Sequence, residues 1–570
     1  MQVDTYAQLV SGDSNERKGI LWPARSGLIG FAVAIALAAL FVRIMTYPLQ
    51  HDEQFYLPAA VLFSFDGLYS DLGFSHLPNL PLLLSGLFAV VGGEHYVLVG
   101  RLVIFVSWLA AIAALVLIGR RHARSDLVAA VLVALLIANP ALLDATGMAV
   151  TNNFIATPFA LLGLLAFIEA ATRPLPSPGL TALSGFLLAV AVGFKANYVI
   201  LLPPVAIAAI FVPRHLTMRA RLTQFTLPFL AGGIIGGAPT LYFLARDPSG
   251  FVAHVVSFHR GPQIGYWRAN ADPLDPKAIG LAAKMLMAQR SWFSATNLIV
   301  LLALAFYATL AVRGGQFRSW AGAAARWPVM LLLAISALAA IISFLPTPAF
   351  PQYFTTALPF ALMLIALLHG SLDADGRNLA RPFLVAALVM AALIGTPILL
   401  STAPKAVNVA RWTGFQVHRD ALDMAKLANG GGQRASMATL SPVYALEGKL
   451  KVYPALAMGP FVYRASAWIP AGERVHYAHL TSPATVDAML ESAPPAAILT
   501  GQEGTLDAPL SAFAVAHGYV AHPIRMGRGS AARDMVLFTR SPLPTAPVAF
   551  GSAAPPRVSD FGATSAPARR

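Results

Sequence analysis

The sequence predicts an all-α polytopic membrane protein that carries a small α/β domain toward its C-terminal end. Three observations lead to this fold class. The 570 residues are 57% hydrophobic and only 12% charged, whereas a soluble domain has about 25% charged residues. Long uncharged runs recur between residues 27 and 401. After residue 404 the apolar runs become short and are separated by glycine, proline and charged residues, which is typical of a mixed α/β domain.

Composition excludes several classes of chemistry. The chain has no cysteine, so disulfides, thiolate catalysis and cysteine-ligated metals are excluded. Its formal net charge is +14, but no nucleic-acid partner is predicted, because much of the Lys and Arg stands in short loops where it sets membrane orientation. Residues 1–26 are polar, and no small-residue cleavage site follows the first apolar run. We therefore interpret that run as a retained span.

Eleven segments are predicted to cross the membrane, since a spanning helix needs about 20 mostly apolar residues. They are approximately 27–46, 97–118, 127–143, 154–171, 179–194, 198–213, 224–245, 294–312, 328–345, 354–369 and 382–401.

The short loops between these segments predict the orientation. The loops on one side carry Arg17, Lys18, Arg25, Arg120, Arg121, Arg124, Arg173, Arg214, Arg219, Arg221, Arg313, Arg318, Arg326, Arg377 and Arg381. On the opposite side no Lys or Arg occurs in 47–95, 144–153 or 346–353. Positive charge marks the cytoplasmic side. We expect a multi-pass protein of the bacterial inner membrane, with its N-terminus in the cytoplasm and its C-terminal domain in the periplasm.

The domain organisation follows from this orientation. The predicted parts are a cytoplasmic tail (1–26), a transmembrane domain (27–403), a periplasmic α/β domain (404–541) and a disordered tail rich in Pro, Ala and Ser (542–570). Two long periplasmic loops, 47–95 and 246–293, interrupt the transmembrane domain. Within the first loop, Phe55–Phe65 and Leu77–Val91 are apolar but short, which predicts helices that lie in the interface or re-enter the membrane.

The first periplasmic loop opens with a cluster of ionisable residues, Gln50–Tyr56. His51, Asp52 and Glu53 stand next to a membrane span, where ionisable groups are costly to hold and usually functional. A carboxylate there can act as general base toward an acceptor hydroxyl that lies within hydrogen-bond reach. The competing interpretation is a solvated acidic loop, which the flanking aromatic residues and the scarcity of other acids in this loop disfavour.

This loop resembles that of the GT-C glycosyltransferases, and in particular the protein O-mannosyltransferase and aminoarabinose (lipid A) transferase group. The segments that carry the resemblance are Asp52–Tyr56, Gly67–Asp71, His76–Leu82, Gly92–Gly93, Gly100–Leu102, Gly185–Lys195, Pro351–Phe354 and Leu358–Phe360. The resemblance implies transfer of a sugar from a polyprenyl-phosphate to an acceptor at the outer face of the membrane. It also implies that Asp52 is the catalytic acid/base residue and that Glu53 supports it. Where relatives often carry a second acid, this chain has Asn152.

Basic residues near the outer face are candidates for the donor phosphate. Lys195 lies in an otherwise uncharged stretch and can act as a point charge; snorkelling to lipid headgroups is an equally good explanation. Arg260 and His259 are further candidates, since a guanidinium binds phosphate oxygens in a bidentate manner; an ordinary interfacial basic loop explains them as well. Arg101 opens a span on the outer side, where it can pair with the acidic loop or anchor to headgroups.

Further polar and aromatic residues are candidates for the substrate pocket: His51, Tyr56, His76, Arg101, Asn152, Gln352 and Tyr353. Tyr353 and Gln352 are explained equally well by an interfacial anchor. His51, Asp52, Glu53, His76, Glu94 and His95 are possible ligands of a divalent ion, but none has the spacing of a zinc enzyme. No cofactor and no metal is therefore assigned.

The sequence thus predicts a glycosyltransferase that uses a polyprenyl-phosphate sugar and a lipid, glycan or protein acceptor. Two alternatives stay open. A polysaccharide ligase or polymerase would use a pyrophosphate-linked donor and a late outer loop with Arg and His, which 246–293 offers. A flippase or transporter would need charges inside the spans, and these spans are almost free of charge.

Overall fold

The computed structural model of the chain describes residues 22–212, 216–271, 279–313, 326–429, 435–527 and 533–540. The predicted disordered tail 542–570, most of the predicted cytoplasmic tail 1–26, and Arg214 and Arg318 lie outside the described residues.

Most of the described chain is helical. The α-helices of the first half are Trp22–Thr46, Glu53–Val61, Gly67–Ser70, Asn79–Val91, Tyr96–Ile118, Asp126–Ile137, Asn152–Thr172, Pro178–Phe194, Leu202–Phe211, Met218–Arg221, Leu227–Gly236, Ala238–Arg246, Pro248–Val252, Phe258–Arg260 and Pro262–Ala269. Those that follow are Leu281–Trp292, Ala295–Arg313, Trp327–Ile342, Leu358–Gly370, Ala374–Leu400, Thr413–Asn429, Pro442–Glu447, Pro460–Ala465, Val486–Ser492 and Ala508–Ala516.

Each predicted span coincides with a helical segment, but their lengths differ. Five helices of the described chain are long and apolar enough to cross a membrane, and a sixth is formed if the pair Met218–Gly236 and Ala238–Arg246, bent by 66°, is one span. Six further apolar helices are shorter: Gly30–Thr46, Asn79–Val91, Asp126–Ile137, Pro178–Phe194, Ala196–Phe211 and Trp327–Ile342. The predicted number of eleven spans stays a prediction.

The two apolar segments of the first loop are helical, and their surroundings differ. Asn79–Val91 buries one face and exposes Leu83, Val90 and Val91, as an interfacial helix would. Glu53–Val61 instead buries every residue from Glu53 to Ala60. It is therefore enclosed by protein, and it places the Asp52–Glu53 pair at the edge of the core.

Residues 436–539 contain a five-stranded sheet. Its strands are β1 (Ser436–Thr439), β2 (Lys451–Val452), β3 (Ala497–Thr500), β4 (Val520–Met526) and β5 (Arg533–Thr539). Their order is β2-β1-β3-β5-β4, with β1 parallel to β2 and β3, and β5 antiparallel to β3 and β4. The mixed α/β character predicted for this region is present.

Both faces of this sheet are covered. Because successive side chains of a strand point to opposite faces, Ala438 and Ile498 pack with the helices Val486–Ser492 and Ala508–Ala516. The other face, with Leu499, belongs to the large apolar cluster that extends into the helical region. The C-terminal unit, defined here as residues 404–540, is therefore packed against the rest of the chain through an apolar surface.

Hydrogen bonds also join the C-terminal unit to the first loop and to the helix after it. They run from Thr413 Oγ1 to Tyr47 O at 2.6 Å, from Val443 N to Gln54 Oε1 at 2.9 Å, from Ala478 N to Ser70 O at 2.8 Å and from Val97 N to Glu447 Oε1 at 3.0 Å. These bonds fix the loop that carries Asp52.

The helices Pro178–Phe194 and Leu227–Gly236 approach each other so closely that glycine is required between them. A Cβ atom at Gly232 would overlap the backbone carbonyl oxygen of Ala182, and one at Gly185 would overlap that of Phe229. Small residues allow the backbones of membrane helices to come this near. Lys195 follows directly after the first of these helices, so this contact supports the position of Lys195.

We predict that Gly232→Ala lowers the stability of the protein by about 1–3 kcal/mol, because the new methyl group has no room in a packed interface. Gly233→Ala is the matched control, since the nearest atom to its Cβ, Gly185 O, is 3.9 Å away. Thermal unfolding of the purified protein in detergent measures both. Equal midpoints for the two variants would contradict the close contact.

Candidate functional site

Asp52 lies at the N-terminal end of helix Glu53–Val61, and its side chain is half-buried. Its side chain makes no capping hydrogen bond to that helix. Within the described residues, no side chain or backbone group donates a hydrogen bond to this half-buried carboxylate. Burial raises the pKa of Asp52 above its ordinary value, while the fields of His51, Arg464 and Lys195 act in the opposite direction. Such a carboxylate is a stronger base than an exposed aspartate.

Glu53, the neighbouring acid, is in the opposite situation. Its carboxylate is completely buried and forms a bidentate ion pair with Arg101, with both N–O distances at 2.7 Å. It also accepts hydrogen bonds from the backbone N–H groups of Gln50 at 2.8 Å and Val150 at 2.9 Å. With four bonds its oxygens are saturated. Glu53 supports the site by fixing the backbone, and it has no free oxygen for proton transfer.

Arg101 therefore pairs with the acidic loop, which decides between the two roles predicted for it. Its guanidinium is buried. Besides Glu53 it binds the carbonyl oxygens of Ile44 at 2.7 Å, Tyr47 at 3.2 Å and Pro48 at 3.2 Å. All five N–H donors of an arginine are thereby used. The end of the first helix, the start of the loop and the helix Tyr96–Ile118 meet at this one side chain.

Lys195 lies within the electrostatic range of Asp52. It follows helix Pro178–Phe194 with an extended backbone conformation, and its side chain is buried. Its Nζ donates a hydrogen bond of 2.8 Å to Asn153 Oδ1 and lies 5.7 Å from the centre of the Tyr353 ring. Burial lowers the pKa of Lys195 to about 8, against the opposing field of Asp52. Snorkelling to headgroups does not describe this position, because the ammonium group lies inside the protein.

Other predicted residues join this group. Asn152 and Asp52 lie close enough to Tyr56 to act on its hydroxyl group, and Asp52 also lies within the electrostatic range of Tyr353. The ring of His76 packs against the ring of Tyr56, with their centres 5.6 Å apart. Burial, together with His259 and Lys195, lowers the pKa of His76 well below its ordinary value. A neutral His76 therefore lies beside Tyr56.

Three predicted residues make no hydrogen bond to Asp52 or Lys195 within the described structure, although the ring centre of one of them, His259, lies 5.0 Å from that of His76. His259 uses both ring nitrogens inside the protein, with Nε2 at 2.6 Å from Ser75 O and Nδ1 on Gln263 Oε1. It ties loop 246–293 to loop 47–95 and has no nitrogen left for a phosphate. Arg260 is exposed, and within the described residues no contact links it to Asp52. The side chain of Gln352 likewise makes no contact with this group among the residues that the structure describes.

The structure adds residues that the sequence did not single out. Arg464, on helix Pro460–Ala465 of the C-terminal unit, lies within the electrostatic range of Asp52. Its NH1 lies 3.4 Å from His51 Nε2. Glu503, also from the C-terminal unit, lies 3.1 Å from His51 Nδ1. These residues are more than 400 positions from the loop in sequence, and no local motif connects them to it. Asn153 could have been noticed, because it follows the predicted Asn152.

The residues considered as metal ligands do not converge. Glu53 is saturated by Arg101, Glu94 pairs with Lys449, and the His95 ring lies against the His418 ring. Across the described ranges, no group of three or more His, Asp or Glu residues is arranged to hold a metal ion. The arrangement around Asp52 is instead a carboxylate flanked by an ammonium and a guanidinium, which suits proton abstraction beside an anion.

The fold of this chain is similar to that of solved membrane-protein structures. No protein family and no curated protein matches the sequence. Among solved structures, the chain is similar to ArnT from Cupriavidus metallidurans bound to undecaprenyl phosphate, with 14% identity, a TM-score of 0.55, and coverage of 90% of this chain and 98% of that chain. The apo state of the same ArnT gives a TM-score of 0.54 with the same identity and coverage. This likeness confirms the predicted resemblance to GT-C enzymes at the level of the fold.

We predict that Glu53→Gln lowers the stability of the protein by about 3–5 kcal/mol, because it leaves the buried Arg101 guanidinium without its counter-ion. Glu94→Gln is the matched control, since it breaks the exposed pair with Lys449 and exposed pairs contribute little. Denaturant unfolding of both variants in detergent is the measurement. An equally stable Glu53→Gln protein would show that the pair does not hold the loop.

Proposed function

We propose that the chain is an integral membrane glycosyltransferase that moves a sugar from a polyprenyl-phosphate to a hydroxyl group of a lipid, glycan or protein. The reaction would take place at the periplasmic face of a bacterial inner membrane. One observation carries the proposal: the Asp52 carboxylate lacks a hydrogen-bond donor within the described protein, while the buried ammonium group of Lys195 lies within its electrostatic range. This arrangement provides a base and an anion-binding cation near each other.

The chemistry is a single displacement at the anomeric carbon. The acceptor oxygen forms a bond to that carbon as its proton passes to an Asp52 oxygen. The bond between the anomeric carbon and the phosphate oxygen breaks, and its electron pair stays on the polyprenyl phosphate. The leaving phosphate gains one negative charge, which the ammonium group of Lys195 stabilises most strongly when that charge develops. Asp52 then releases its proton to water before the next turnover.

Two features of the chain support a lipid-linked donor. Lys195 stands at the end of an apolar helix, so a donor whose tail lies in the membrane can bring its phosphate to this ammonium group. The fold is shared with ArnT, whose structure was solved with undecaprenyl phosphate bound. The absence of Lys and Arg from 47–95 is the reason for placing this face in the periplasm.

The ligase or polymerase alternative has less support than the transferase. It relied on loop 246–293 as a binding site rich in Arg and His. Within the described part of that loop, His259 is bonded to Ser75 and Gln263, and His254 Nε2 is bonded to His476 O at 3.0 Å. These histidines connect parts of the protein, whereas the open carboxylate belongs to the first loop.

We predict that Asp52→Asn folds normally and loses at least 100-fold in turnover, because an amide cannot accept the hydroxyl proton. The control is Asp71→Asn, which changes an exposed acid of the same loop and should keep full activity. Mass spectrometry of envelope lipids, glycans and proteins compares a deletion strain with the same strain carrying each variant at equal membrane levels. Full restoration of the missing sugar by Asp52→Asn would remove Asp52 from the mechanism.

We predict a pH effect that depends on Lys195. The ammonium form binds the donor phosphate, and burial lowers the pKa of Lys195 to about 8. As the pH rises through this value the charge is lost, so kcat/KM for the donor should fall on the alkaline side. Lys195→Arg keeps its charge at every accessible pH, so its profile should lack this decrease. The same alkaline decrease in Lys195→Arg would assign it to another group.

A further inference from the structure

Arg464 is brought to Asp52 by a glycine turn in the C-terminal unit. Gly459, with φ +57°, precedes helix Pro460–Ala465 in a backbone conformation that favours glycine. A Cβ there would lie 3.3 Å from the carbonyl oxygen of Gln54, so the turn rests on the helix that begins beside Asp52. The helix that follows buries Arg464, which is only 9% exposed.

The guanidinium of Arg464 is enclosed by aromatic rings and lacks an acidic partner. Its central carbon lies 4.7 Å from the ring centre of Trp267, 4.9 Å from that of Phe461 and 5.5 Å from that of Tyr266. Within the described residues, no carboxylate lies at ion-pair distance from it. Within the same residues, the guanidinium of Arg464 has one hydrogen-bond contact, at 3.4 Å from its NH1 to His51 Nε2.

A buried cation without a counter-ion is costly, and aromatic faces compensate only part of that cost. Glu503, an acid within its electrostatic range, is engaged by His51 at 3.1 Å. Asp52 is also within range but forms no ion pair with it. The five N–H donors of this guanidinium therefore have few acceptors in the described protein, which points to an acceptor supplied by a ligand.

Arg464 and Lys195 reach Asp52 by separate routes. Lys195 contacts Asn153 and Tyr353 on the side of the apolar helices, whereas Arg464 contacts His51 and rings of the C-terminal unit and loop 246–293. Asp52 lies within the electrostatic range of both cations. The two cations therefore act on Asp52 from different sets of neighbouring residues.

We propose that Arg464, held by Phe461, Tyr266 and Trp267, forms an oxyanion-binding subsite that the C-terminal unit contributes beside Asp52, separate from Lys195. The inference deepens the proposed function and rests on it for the identity of the substrates. The oxyanion is a phosphate or carboxylate group, carried either by the acceptor or by the lipid-linked donor. The planar guanidinium, fixed between rings, binds such a group in a bidentate manner with little loss of side-chain entropy.

The test is direct binding to the full-length protein purified in detergent. Titrations with inorganic phosphate and with undecaprenyl phosphate compare wild type, Arg464→Gln, Arg464→Lys and Arg525→Gln. Arg525 is a half-exposed arginine of the same unit, with its Nε 3.9 Å from Asp534, and it serves as the matched control. Loss of a charge-assisted hydrogen bond should weaken binding about tenfold or more in Arg464→Gln. Arg464→Lys, which keeps the charge but loses the planar fork, should weaken it less.

The two probes distinguish the sources of the oxyanion. If Arg464→Gln raises the Kd for undecaprenyl phosphate alone, Arg464 binds the donor phosphate. If it raises the Kd for inorganic phosphate, Arg464 binds an anionic group of the acceptor. Unchanged Kd values for both probes in Arg464→Gln would overturn the subsite, and a lowered unfolding midpoint would then show a purely structural anchor. Failure of wild type to bind either probe would overturn it as well. No sugar is transferred in these titrations. If the protein proved to have no transferase activity, the proposed function would be wrong, but the measured effect of Arg464 on anion binding would still hold.

Discussion

The buried pair of Glu53 and Arg101 is the interaction on which the site depends. It joins the carbonyl groups at the end of the first long helix, the helix Tyr96–Ile118 and, through Val150, the turn before helix Asn152–Thr172. Two charges removed from water are stable only when geometry and additional hydrogen bonds compensate their desolvation. Here every donor of Arg101 and both oxygens of Glu53 are used. The ion pair consequently fixes the loop backbone in one conformation, and Asp52 is the residue directly before Glu53.

Two adjacent acids thus have opposite environments and opposite roles. Both carboxylate oxygens of Glu53 accept hydrogen bonds from protein donors. Its negative charge is therefore stabilised, and Glu53 is a weak base. Asp52 is half-buried without a donor, and its pKa is raised by desolvation. A catalytic base needs a rigid support, because proton transfer requires a hydrogen-bond distance to the acceptor hydroxyl. Glu53 fixes the backbone beside Asp52, which is the support that the proposed base requires.

The sequence predicted the parts of the structure that depend on local pattern. The long apolar runs predicted the helices, and the polar cluster after the first run predicted Asp52 as a candidate catalytic residue. Lys195 was singled out as a charge in an uncharged stretch, whereas Tyr353 and Asn152 were singled out through the resemblance to GT-C enzymes. The sequence could not show that both ring nitrogens of His259 have partners inside the protein, because such a histidine looks the same in sequence as one that binds a ligand. Arg464 and Glu503 could not be found, because only tertiary packing brings them beside His51.

That packing also explains why the C-terminal unit cannot be treated as an appendage. One face of its sheet belongs to the same apolar cluster as the helices, and Val443 holds the side chain of Gln54, two residues from Asp52. Arg464 enters the space around the carboxylate from this unit. The site is therefore complete only when residues more than 400 positions apart have docked. A long-range assembly of this kind costs loop-closure entropy during folding, and in return it contributes to the burial that raises the pKa of Asp52.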